Sequence, residues 1–154
     1  MFKARRAAGF TLIEMMIVVA ILAVLASIAI TNLIRSRIEA NEVAAIGTLK
    51  TICSSQASYN VANKGYGTFA ALTSDPYGVG VAILAGAWTN GTTRSGYSFS
   101  IEDVTEADFV CYASPAFPGK SGVHYFRVDG SGIIRRNLAD RPSATDEAVG
   151  TAAN

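Results

Sequence analysis

Two cysteines are the residues best suited to covalent chemistry in this chain of 154 residues. Cys53 falls on an apolar stripe at helical spacing with Leu49 and Ile52, and Cys111 alternates with Phe109 at strand spacing. Both cysteine side chains should therefore point into one helix-sheet interface. We expect them to form a disulfide if the chain is exported to an oxidising compartment. Two buried inert thiols are the alternative, because a shared layer does not fix the separation of the Cα atoms.

The other reactive side chains form no catalytic or metal-binding pattern. His124 is the only histidine, and with no serine or cysteine motif beside it we expect its ring to be hydrogen-bonded locally on a strand. Asn90-Gly91-Thr92 matches a glycosylation sequon, a pattern common by chance. Four carboxylates between two predicted strands suit calcium by type, but their spacing fits no calcium loop and favours a solvated turn: Glu102, Asp103, Glu106 and Asp108. We therefore predict a protein that is not an enzyme and holds no cofactor or metal.

A carboxylate at the edge of an apolar run is the most unusual feature of the sequence. Glu14 directly precedes Met15 to Ile30, in which Ser27 is the only polar residue. A carboxylate at the centre of a bilayer costs about 2.5 to 3.5 kcal/mol, so such residues usually have an assigned partner. The segment from Phe10 to Ile34 is about 37 Å long as a helix, enough to cross a hydrocarbon core of about 30 Å. It is therefore predicted to be a membrane helix.

The basic residues on either side of this segment predict its orientation. Lys3, Arg5 and Arg6 precede it, and only Arg35 and Arg37 closely follow it. This asymmetry favours an N-terminus inside the cell and residues 35–154 outside. A cleaved secretory signal is the alternative, since Ser27 and Ala29 offer small side chains at the −3 and −1 positions of a possible cut. The long apolar run and the uninterrupted helical pattern beyond it count against that alternative.

The stretch Gly9-Phe10-Thr11-Leu12-Ile13-Glu14, with its basic leader and the apolar run that follows, resembles the class III signal of type IV pilins and of the related pseudopilins of type II secretion. The resemblance covers about the first 35 residues. It implies that a prepilin peptidase cuts after Gly9 and that the new N-terminus, Phe10, is methylated. It also implies that Glu14 pairs with the N-terminal ammonium of a neighbouring subunit. Many relatives have a proline just past the apolar core, where this chain has Thr31-Asn32, so a proline kink is not expected here.

The same resemblance implies a structural subunit of a type IV pilus filament, assembled through its N-terminal helix. The expected partners are further copies of the chain, the prepilin peptidase, an inner-membrane assembly platform and, before assembly, membrane lipid. The chain would then reside in the inner membrane first and in an extracellular pilus afterwards. A pseudopilin of a periplasmic pseudopilus is one alternative, and a secreted soluble binding module is another. With 13 basic and 12 acidic residues, the chain shows no nucleic-acid-binding signal.

Hydrophobic periodicity predicts an α+β fold, the pilin-like architecture that the resemblance also implies. One helix from about Phe10 to Asn60 combines a transmembrane half with an amphipathic half. A stretch that is mostly loop follows, with a short helix near Phe69 to Leu72, and the alternation after Gly96 predicts four antiparallel strands packed on the helix. The predicted segments are a leader at 1–9, a membrane and filament-core helix at 10–34, and a helix and globular head at 35–154. We expect a flexible tail over residues 137–154.

Overall fold

A long helix and an antiparallel sheet dominate the computed structural model, which describes residues 9–74, 82–138 and 140–150. Helix α1 spans Leu12–Asn63 and helix α2 spans Phe69–Thr73, as the sequence predicts within three residues. The chain divides into two compact units, Met1–Ser36 and Arg37–Asn154. Apart from Gly9, the predicted leader lies outside the described residues.

Both ends of α1 are closed by local hydrogen bonds. Thr11 is the N-cap, because its hydroxyl oxygen accepts the backbone N–H of Glu14 at 3.2 Å. At the other end Lys64 has a φ of 56°, and its N–H donates to the carbonyl of Asn60 at 2.8 Å. A residue in this left-handed region is a common way to end a helix. Between the caps the helix runs without a break through Thr31, in line with the missing proline.

Within the described residues the sheet has six antiparallel strands, in the order in which they occur along the chain, and not the predicted four. The four central strands are β2 (Tyr97–Glu102), β3 (Val110–Pro115), β4 (Tyr125–Asp129) and β5 (Arg135–Asn137). The edges are β1 (Thr92–Arg94) and β6 (Glu147–Ala148). These edge strands contain three and two residues, too few for an alternating pattern to be recognised in the sequence.

The core lies between α1 and one face of the sheet. Two rows of paired residues cross β2, β3 and β4 on this face, Phe99 with Ala113 and Phe126, and Ile101 with Cys111 and Val128. All six are buried, together with the helix residues Ala45, Leu49 and Ile52. The predicted packing of a helical stripe on alternating strand residues is thereby confirmed. Trp88 completes the core, with ring centroids 5.3 Å from Phe69 and 5.8 Å from Phe99.

The last described segment, residues 140–150, packs against the sheet. The guanidinium of Arg141 makes two hydrogen bonds to the carboxylate of Glu102, at 2.9 and 3.0 Å, and lies over the ring of Tyr112. Pro142 is fully buried, and the N–H of Val149 donates to the carbonyl of Ile134 at 2.7 Å. Residues 140–150 of the predicted tail therefore contact the sheet and add β6, while residues 151–154 lie outside the described residues. The polar, aperiodic sequence of this segment does not predict that it packs on the sheet, because its contacts are with strands distant in the sequence.

A carboxylate on α1 ties the helix to the loop before β4. Glu42 Oε1 accepts the backbone N–H groups of Val123 and His124 at 2.8 and 3.1 Å, and Glu42 Oε2 lies 2.9 Å from His124 Nδ1. On the neighbouring helix position, Asn41 Nδ2 donates to the carbonyl of Ser121 at 2.8 Å. We call these four hydrogen bonds the clasp. It fixes the loop between β3 and β4 to α1.

The clasp determines the charge state of Glu42. Partial burial alone would raise the pKa of this carboxyl, but the hydrogen bonds from Val123 and His124 outweigh it and lower the pKa. The charged form of Glu42 is therefore favoured in the folded protein. Its stabilising effect is present above the pKa of the unfolded chain, about 4.3, and is lost as the pH falls through the lower pKa of the fold.

We expect Glu42→Ala to lower the free energy of unfolding by about 1 to 3 kcal/mol, because two backbone N–H groups lose their acceptor. Glu42→Gln keeps one acceptor oxygen, so it should lower the free energy of unfolding at neutral pH by less than Glu42→Ala does. Because glutamine does not titrate, the loss of stability below pH 5 that comes from Glu42 should disappear in this variant. The fluorescence of Trp88, the only tryptophan, reports unfolding of the full chain in detergent. Glu39→Gln, an exposed acid on the same helix, is the matched control. Equal stability of Glu42→Ala and this control would contradict the clasp.

Candidate functional site

The residues that the sequence singles out for processing and assembly lie just before α1 and in its first turn. Gly9, Phe10 and Glu14 are all exposed. Glu14 is the third residue of the helix, where a negative charge interacts favourably with the helix dipole, and its N–H is already used by Thr11. Thr11 and Glu14 have the spacing of a capping box, a signal for the start of a helix. The bond to Thr11 uses only the backbone N–H of Glu14, and the exposed carboxylate can accept a group outside the helix.

An unbroken apolar surface follows. Every large apolar side chain from Phe10 to Ile34 is exposed, by between 45% and 78%. The helix that carries them is long and apolar enough to cross a membrane, a criterion that signal sequences near an N-terminus also meet. A cavity on this surface is lined only by apolar residues between Leu12 and Ala23. So much exposed apolar surface marks a site for lipid or for protein partners.

The two cysteines are free thiols in the structure, so the predicted disulfide is not present. Cys111 is fully buried, with its sulfur 3.9 Å from the carbonyl oxygen of Tyr112, whereas Cys53 is only partly buried. Burial raises the pKa of both thiols. The pKa of Cys111 is raised further by the neighbouring Cys53, and that of Cys53 by the negative charge of Asp129. The side chains face the same core, as predicted, but a shared core does not bring two sulfur atoms to bonding distance.

The remaining candidates have structural partners. His124 precedes β4 by one residue, and its ring is bonded by Glu42 of α1 and not by a local group. Glu42 was missed because its partners lie more than 80 positions away in the sequence. The side chain of Asn90 donates to the carbonyl of Ile101 and accepts its N–H, so the amide of the glycosylation sequon is engaged.

The four carboxylates at 102–108 do not form a metal site. Asp108 Oδ1 accepts the N–H groups of Phe109 and Gly130 at 2.8 and 2.7 Å, and Glu102 is held by Arg141. Within residues 9–74, 82–138 and 140–150, no group of three or more His, Cys, Asp or Glu residues is placed to hold a metal ion. Among the described residues, the candidate functional residues that have no structural partner therefore lie at the start of α1 and on its exposed apolar half.

Comparison with known proteins agrees with this assignment. Residues 4–30 match the family described as the prokaryotic N-terminal methylation motif. The chain is 34% identical over 100 residues to the type IV wide pilus major component PilA4 of Thermus thermophilus. The aligned residues make up 61% of this chain and 76% of that protein. The pseudopilin alternative is not favoured by these relatives. Together with the apolar helix and the helix-on-sheet head, they show that the chain belongs to the type IV pilins, the structural subunits of pilus filaments.

Proposed function

We propose that this pilin is cut between Gly9 and Phe10, resides in the inner membrane through the apolar half of α1, and then polymerises into an extracellular pilus through the same surface. One observation carries the proposal: the apolar side chains from Phe10 to Ile34 are exposed, while the head has its own buried core. The head buries most of its large apolar side chains in this core, whereas the exposed half of α1 needs an apolar environment. Lipid supplies that environment before assembly, and neighbouring helices supply it afterwards.

The half of α1 that belongs to the head supports close helix packing in a filament. Its exposed side from residue 43 to residue 62 carries a single charge, Lys50, and otherwise small or weakly polar side chains: Val43, Gly47, Thr51, Ser54, Ala57, Ser58, Val61 and Ala62. A helix face that stays in water usually carries many charges. Small residues allow the backbones of neighbouring helices to approach each other. We infer that neighbouring subunits cover this face too.

Glu14 is proposed to pair with the N-terminal ammonium of a neighbouring subunit. Its carboxylate lies near the start of an apolar helix, where an unpaired charge is expensive once water is removed. Within one chain, Phe10 lies about one helical turn, or about 6 Å of axial rise, before Glu14. In a filament the amine created by cleavage at one chain can meet the carboxylate of the next. Such a pair would offset the cost of burying either charge alone.

Two kinds of machinery follow from this scheme. A prepilin peptidase must create the free amine at Phe10, and an assembly platform in the inner membrane must move the apolar helix from lipid into the growing filament. PilA4 is named as a major pilus component, and we propose the same homopolymeric role for this chain. The role is structural, so no catalytic group is assigned.

The mature protein should begin at Phe10 and carry a methyl group on its amine. Intact-mass measurement and N-terminal fragment sequencing of filaments sheared from cells test this directly. A Cβ atom added at Gly9 would contact nothing within 4 Å, so Gly9→Val should leave the fold unchanged while the leader stays attached. A mature chain that begins at Ile30 would show instead that the first 29 residues are a discarded secretory signal.

We expect Glu14→Gln to reduce the yield of filaments by at least about tenfold, because breaking a buried ion pair costs about 3 to 5 kcal/mol per subunit. Glutamine also suits the third helical position of a capping box, so the start of α1 should persist. Filaments are counted by electron microscopy, with membrane insertion and Trp88 fluorescence measured in parallel. Glu39→Gln provides the matched control on the same helix. Filaments at wild-type yield from Glu14→Gln would rule out the pairing.

A further inference from the structure

The two ends of the sheet carry different surfaces. Strands β2 and β3 pair from Tyr97 with Pro115 to Glu102 with Val110. The loop at 116–124 therefore lies at one end of the strands and the turn at 103–109 at the other, about 17 Å apart along them. Contacts with α1 mark the same two ends. Asn41 bonds the 116–124 loop, whereas the backbone just beyond α1, at Gly65, packs against Glu106.

The first end presents an exposed aromatic ring on a rigid loop. Phe117 is 68% exposed, and its N–H and carbonyl are both bonded to Ser121, with distances of 2.9 to 3.1 Å. Asn41 then holds the carbonyl of Ser121 as part of the clasp. Lys120 is exposed and is the only charged residue at 116–122. We call Phe117, Lys120 and their loop the knob.

The second end presents a groove of about 380 Å³ where α1 ends. Its apolar walls are side chains that pack on the edge of the core and remain partly exposed: Tyr59, Tyr66 and Val104. Its polar lining includes the carboxylate of Glu106 and one cation, Lys64. The exposed Asp103 and Asp108 belong to the same turn. We call Tyr59, Tyr66, Val104 and Glu106 the recess.

The knob and the recess lie at opposite ends of one head, so a chain cannot bring its own knob into its own recess. A contact between two different surfaces of identical subunits repeats without closing when the rotation does not complete a ring, and it then builds an open filament. That is the assembly that pilins form. The knob also matches the recess in chemistry, because its aromatic ring meets aromatic walls. Its cation meets a region in which three carboxylates, Glu106 with the nearby Asp103 and Asp108, outnumber the one cation, Lys64.

We propose that the recess binds the knob of a second copy of this chain, with Phe117 between Tyr59 and Tyr66 and Lys120 facing Glu106. This inference rests on the proposed function, since it describes a contact between heads in the same filament. The loop is already fixed by Ser121 and Asn41, so little conformational freedom is lost when the ring is buried. The ring supplies most of the affinity, and the exposed charge pair sets the orientation.

Photo-crosslinking identifies the partner. A benzoyl-phenylalanine at position 117 of the full chain, irradiated in sheared filaments, should give a dimer of this chain whose linked peptide contains residues 59–66 or 104–106. Crosslinks to another part of the chain, to a different protein or to a chain in a neighbouring filament of a bundle would overturn the inference, as would the absence of crosslinks. If the unsubstituted chain forms no filaments, the proposed function fails, and not this contact alone.

Substitutions measure the contribution of the contact. Phe117→Ser should lower the yield of filaments by at least about tenfold, whereas Leu138→Ser, at a residue with a similar exposure of 66%, should leave it unchanged. Lys120→Glu and Glu106→Lys should each make filaments easier to shear. The double variant, in which the two charges are exchanged, should recover the resistance of the filaments to shearing. Trp88 fluorescence verifies that each head is folded. A yield from Phe117→Ser equal to that of Leu138→Ser, or a double variant as weak as the two single ones, would contradict the proposed contact.

Discussion

The exposed apolar half of α1 constrains everything else in this molecule. From Phe10 to Ile34 the helix presents apolar side chains in every direction, so no orientation of the helix leaves a polar face toward water. A helix that is apolar all round must be buried on all sides. The folded head must therefore be stable without using this surface, which has to stay available for lipid and then for other subunits.

The head meets this requirement with a core of its own. The stripe of Ala45, Leu49 and Ile52 packs on two rows of strand residues, and one helix thereby serves two environments in succession along its length. Polar contacts then fix the position of loops on the helix. Gln56 is fully buried, and its amide both donates to and accepts from the backbone of Gly67, at 2.6 and 2.9 Å. Glu42 fixes the loop before β4 by accepting the backbone N–H groups of Val123 and His124.

Local patterns in the sequence predict the helix and the central strands well. The run from Met15 to Ile30 is long enough to be unambiguous, and the alternation from Tyr97 to Ile101 is regular. Contacts between distant residues were not predictable in the same way. Nothing near Glu42 in the sequence indicates that it accepts hydrogen bonds from residues 123 and 124, and the polar segment at 140–150 contains no sign that Pro142 is buried.

The cysteines also show that sequence periodicity does not predict distances between individual atoms. Periodicity correctly places Cys53 and Cys111 toward one core, because it determines the direction of a side chain. The distance between two sulfur atoms depends on the separation and rotation of the helix relative to the strand, which periodicity does not encode. The edge strands are a related case, since β6 exists only through its pairing with β5. Local composition predicts the elements, and the tertiary contacts determine their edges.

A filament held only by apolar helix surfaces would lack a defined register. Burial of Leu, Ile and Val side chains is non-directional, and residues 15–30 carry no charge that would favour one alignment of neighbouring helices over another. Charged and shape-specific contacts are the means by which proteins select one register among several. The proposed pairing of Glu14 with an N-terminal amine would do this at one end of α1. The proposed contact between Phe117 and the recess would do it in the head, where Ser121 and the clasp hold the loop that carries the ring. Stability would then come from the apolar helix, and the helical repeat from a small number of polar and aromatic residues.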